Sequence, residues 1–130
     1  MSETLQYRLG NLVKSKKGIY RIYAMSIPEI IAIQEVSEPI GSQLGVYGTL
    51  STIISPITLT EEWLLKTKLI QTIQNTFLMG GFELIYDSAN ERYNVHTLRG
   101  IITVVRYVHE LQNLYFALCR EELVFSSNNA

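Results

Sequence analysis

At 130 residues, with 47% hydrophobic and 18% charged side chains, the chain has the composition of one folded globular domain that buries roughly two-thirds of its unfolded surface. A formal net charge of −1 excludes bulk electrostatic attraction to nucleic acid or anionic lipid. A single cysteine, Cys119, excludes an internal disulfide and fits a reducing compartment.

No apolar run reaches the length of about 18 residues that a spanning helix needs. The opening MSETLQYRLG lacks the basic start and apolar stretch of a secretory signal, so a soluble cytoplasmic protein is the expectation. The charges are unevenly distributed. Arg8, Lys14, Lys16, Lys17 and Arg21 crowd the start, no cation follows until Lys66, and the gap holds Glu29, Glu35, Glu38, Glu61 and Glu62. Such polarity suits docking better than general coating of DNA.

In chain order, NLVKS and IYRIYAMS predict two strands around a turn at Lys16-Lys17-Gly18, with Gly18 supplying a positive φ. Pro28 breaks the run, and Ile30, Ile31, Ile33 and Val36 predict a third strand. Gly41, Gly45 and Gly48 punctuate a loop, after which LSTIISPITL predicts a β-branched strand ended by Pro56. Short strands around small turns suggest a small SH3-like barrel or antiparallel sheet.

Thr60 is a good N-cap, Glu61 and Glu62 suit the first turn of a helix, and Leu59 with Leu64 can form a hydrophobic staple. Trp63, Ile70, Ile73 and Phe77 recur at helical spacing, which predicts a helix running to Gly80-Gly81. FELIYDS and ERYNVHTL, turning at Ala89-Asn90, lead through Arg99-Gly100 into ITVVRYV, a three-stranded antiparallel meander. Its last strand, Ile101 to Val108, is apolar on both faces and is expected to be central. YVHELQNLYFAL predicts a closing amphipathic helix on Leu111, Leu114, Tyr115 and Leu118, and Leu123 to Phe125 a short final strand.

Chemistry-bearing residues are sparse. His96 falls on the polar face of its strand with Arg92 and Asn94, and His109 opens the last helix, where the dipole disfavours its protonation. Neither histidine has a partner at metal-ligand spacing. Cys119 sits about 15 Å along the helix from His109, too far for activation by it. Adjacent carboxylates at Glu61-Glu62 and Glu121-Glu122 diverge by about 100° and do not share a site. The glycines at 41, 45 and 48 do not match a phosphate loop. No catalytic residue, metal site or cofactor is therefore expected.

Two binding candidates remain. The basic hairpin, Lys14, Lys16, Lys17 and Arg21 interleaved with Tyr7, Tyr20 and Tyr23, has the mix that single-stranded nucleic-acid surfaces use. Against that stands the ordinary role of turn lysines in keeping an edge soluble. Phe116 is the odd residue of the last helix, beside Gln112, Asn113 and Arg120 and off the apolar stripe, where it covers a loop or anchors a partner.

SPITL with TEEWLL (Thr60 to Leu65), YVHELQNLYFAL (Tyr107 to Leu118), REEL (Arg120 to Leu123) and RLGNLV (Arg8 to Val13) together resemble a family of small uncharacterised proteins of Bacteroidetes and their phages and prophages. The resemblance covers about a third of the chain and brings no catalytic residues with it. This chain departs from the pattern in a longer helix after TEEWLL, and in Arg120 where a glycine is usual, which removes a helix stop.

The expectation is one α+β domain over residues 1–130, with a β-rich half at 1–58, a helix–meander–helix half at 59–125 and a frayed tail at 126–130. Functionally it is a non-catalytic protein-binding module that touches a host or phage protein by surface contact, a reading motivated by the polarised charge and the Phe116 face. The resemblance implies a phage or prophage origin, hence the host cytoplasm, and inhibition of a defence nuclease as one form of action. Two alternatives stand beside this: a nucleic-acid accessory module using Lys14, Lys16, Lys17, Tyr20, Arg21 and Tyr23, and an enzyme whose site only the fold assembles from Glu110, His109 or Cys119. Self-association fits either binding reading.

Overall fold

The computed structural model describes residues 7–26, 29–38, 41–48 and 54–125, which divide into two compact units at Ile57/Thr58. Of the expected elements, most of the strand in LSTIISPITL and the tail at 126–130 lie outside the described residues.

The first unit is a four-stranded antiparallel sheet in the order β1-β2-β3-β4, with β1 at Leu12–Ser15, β2 at Gly18–Ser26, β3 at Glu29–Glu35 and β4 at Val46–Gly48. The β1–β2 turn is Lys16-Lys17, and Gly18 takes φ +144°, a backbone that a side chain would strain. Paired positions share a face, so Val13, Tyr20, Ile22 and Ile33 form the core of this unit, with Tyr7, Met25, Ile30 and Ile54 packed around them. The ring of Tyr20 meets that of Tyr47 edge-on at 6.1 Å.

The sheet does not close into a barrel, which corrects the SH3-like expectation. β4 is three residues long, and among the described residues the chain returns to the outer edge of β1 only at Ser55. There Lys14 N–H donates to Ser55 O and Ser55 N–H to Lys14 O, both at 2.9 Å. Closure needs a full staggered ladder, and among the described residues this edge has one bridge.

The second unit is a five-stranded antiparallel sheet in strict sequence order: β5 (Ile70–Ile73), β6 (Thr76–Met79), β7 (Phe82–Asp87), β8 (Arg92–Thr97) and β9 (Gly100–Val105). Two helices accompany it, α1 at Glu61–Leu65 and α2 at Val108–Cys119. The expected meander is present as β7–β9. Its inner face is fully buried along Phe77, Leu84 and Val95, a row fixed by the cross-strand register. Val105 continues that face, and Val108, Leu111 and Tyr115 are the buried apolar side of α2.

The long helix after TEEWLL is the largest correction. Thr60 caps α1 by accepting from Trp63 N–H at 3.4 Å, and Leu59 and Leu64 are both buried, as the staple requires. The helix then ends after five residues because Thr67 intervenes. The Thr67 hydroxyl donates to Leu64 O at 2.6 Å and accepts from Leu69 N–H at 3.1 Å, so one side chain stops the helix and starts the next turn. The following residues form a hairpin, with Asn75 in the left-handed region at φ 68°, which asparagine tolerates. Gly80-Gly81 turns β6 into β7 rather than ending a helix.

Two further expectations change. β9 is an edge strand, not the central one: Gly100 to Thr103 are exposed, and burial returns only at Val105. Leu123 to Phe125 form no strand, although Leu123 is buried and the Phe125 ring meets Trp63 edge-on at 5.5 Å. The last helix does stop at Arg120 without glycine. Arg120 takes the left-handed conformation at φ 61°, and its N–H donates to Phe116 O at 2.8 Å.

Candidate functional site

The hairpin candidates part company in the fold. Lys14, Lys16, Lys17 and Tyr23 are exposed, while Tyr20 is a core residue at 6% exposure. Arg21 crosses to β3 and the loop after it. Its Nη1 donates to Gln34 Oε1 at 2.8 Å and to Glu38 O at 2.9 Å, and its Nη2 donates to Val36 O at 3.2 Å. Desolvation by burial lowers the guanidinium pKa from its usual value.

Gln34 is 1% exposed, and its Nε2 donates to Ser42 O and Leu44 O, both at 2.9 Å. Arg21 and Gln34 therefore pin the loop between β3 and β4, a structural employment that sequence spacing does not reveal. What the hairpin presents outward is cationic with one exposed tyrosine, whereas base stacking along a single strand uses successive aromatic platforms.

The titratable residues of α2 are also dispersed. Glu110 reaches back over the helix start, where its Oε1 accepts from Arg106 N–H at 2.7 Å and Tyr107 N–H at 3.2 Å. His109 is 1% exposed and stacks on Tyr107 with ring centroids 5.8 Å apart. Cys119 is half-buried at the far end of the helix, its Sγ 3.8 Å from where a Cβ on Gly80 would lie. Among the described residues, no three histidine, cysteine or carboxylate side chains gather as a metal cluster, and no helix is long and apolar enough to cross a membrane.

Burial lowers the His109 pKa below 6.5, with the charge of Glu110 opposing in part. A depressed histidine holds its neutral form in the folded protein, so its stabilisation is present above pH 6.5 and is lost as pH falls towards the folded pKa. The melting temperature of the wild type should therefore drop between pH 7 and the folded pKa of His109. The His109→Gln variant should show a flatter profile over the same window, and equal slopes would refute the assignment.

The most distinctive surface lies on the second unit. The register aligns Ile70, Leu78, Glu83, His96 and Ile101 in one row on the sheet face opposite the core, with Ile73, Thr76, Ile85, Asn94 and Val104 in another. Its two edges carry the most exposed apolar side chains of this face, Ile70 at 64%, Ile73 at 69% and Ile101 at 55%. Ile102, the extra residue of a bulge opposite Val95 and His96, is 51% exposed. Phe116, at 41%, is exposed near the end of α2 together with Leu118.

Sequence reasoning missed the isoleucines because helical spacing placed Ile70 and Ile73 inside and a doubly apolar run placed Ile101 in mid-sheet. The available signal was the run of Thr67, Thr72 and Thr76 through the supposed helix, since β-branched side chains favour strands.

No protein-family model, no curated protein and no solved structure matches the chain.

Proposed function

We propose that this chain is a non-catalytic protein-binding module that acts through the open sheet of its second unit. The observation supporting this is the exposure of Ile70 and Ile73 on the β5 edge of that sheet and of Ile101 and Ile102 on its β9 edge. Exposed apolar side chains gathered on a strand are the surface a protein partner can cover. Of the residues an enzymatic reading draws on, Glu110 accepts from the amides at the start of α2, His109 is buried, and Cys119 lies at the far end of the helix. Within this reading, the resemblance to phage-borne proteins makes a bacterial defence protein the first partner to assay.

The test is capture of a stoichiometric partner from bacterial lysate by the full chain, repeated with Ile73→Asp and Ile101→Asp. A carboxylate in a desolvated apolar contact should weaken binding about tenfold or more while the circular dichroism spectrum is retained. Absence of any partner, or capture unaffected by both changes, would sink the proposal.

A further inference from the structure

We draw no further inference here: the strongest candidate, the uncharged edge that β9 presents with Ile101 and Ile102 exposed, carries nothing, because nothing in the structure shows what covers it and the backbone of Arg106 at its far end is already bonded to Glu110 and Leu59.

Discussion

Replacing Phe77 with alanine should destabilise the second unit by about 3–5 kcal/mol, whereas Ile70→Thr and Ile73→Thr should each change stability by no more than about 0.5 kcal/mol. Phe77 is fully buried in β6, while Ile70 and Ile73 are among the most exposed apolar residues of the chain. Threonine preserves the branched Cβ that a strand prefers, so these two substitutions remove apolar surface without removing strand propensity.

A continuous helix from Thr60 to Met79 makes the opposite forecast, because it sets all three residues on one inward stripe. Urea denaturation of the three variants separates the two arrangements. Comparable losses at all three positions would restore the helix and remove the β5–β6 hairpin. A loss of this size is a large share of the ~5–15 kcal/mol that typically holds a domain folded, so Phe77→Ala is also expected to accumulate poorly in cells.

Replacing Gln34 with leucine should cost about 2–4 kcal/mol although it swaps a buried polar group for an apolar one of similar size. Three hydrogen bonds disappear together, leaving the carbonyls of Ser42 and Leu44 and one N–H of Arg21 without this partner. Such groups bear the desolvation cost that made the interaction worth having.

The change should be felt first in the loop. Hydrogen exchange at the Glu35 amide, bonded to Gly45 O at 2.9 Å, should accelerate while the β1–β2 ladder keeps its protection. Gln34→Glu is the informative companion. A carboxylate still accepts from Arg21 but cannot donate to either carbonyl, so it should loosen the same loop. A Gln34→Glu protein with unchanged loop exchange would show that Arg21 alone pins the segment.

The strands β1 to β3, the β7–β9 meander and the last helix are legible in the sequence because their signals are local, whereas β4 falls in the stretch that Gly41, Gly45 and Gly48 mark as a loop and β5 and β6 in the expected helix. Gly18 after two lysines marks a hairpin, Thr60 before two glutamates marks a helix start, and alternation through Leu84, Tyr93 and Val95 marks a buried face. The failures share a physical cause. Phe77 satisfies a period of seven from Trp63 and Ile70 and equally a period of two with Met79, so spacing alone cannot separate helix from strand. The hydroxyl of Thr67 settles the matter through a hydrogen bond to Leu64 O, which no hydropathy pattern encodes.

β9 reads as central because its residues are apolar on both sides, yet edge or centre depends on which strands exist upstream, and helical spacing hides the β5–β6 hairpin. Arg21 reads as a surface cation because its acceptors, on Gln34, Val36 and Glu38, are remote in sequence and two of the three are main-chain oxygens. The exposed isoleucines are defined by what fails to cover them, and coverage is a property of the whole sheet.

The bridge between Lys14 and Ser55 bears on how this molecule can be taken apart or rearranged. Residues hydrogen-bonded in this way lie about 5.5 Å apart at their Cα atoms, so the chain returns beside its first strand just before it leaves the first unit. A segment tied back to its opening strand in this way can be grafted as a cassette, provided the residues ahead of Lys14 travel with it. Severing the chain just after Gly48 would discard the stitch to β1, while severing it after Ile57 would keep it.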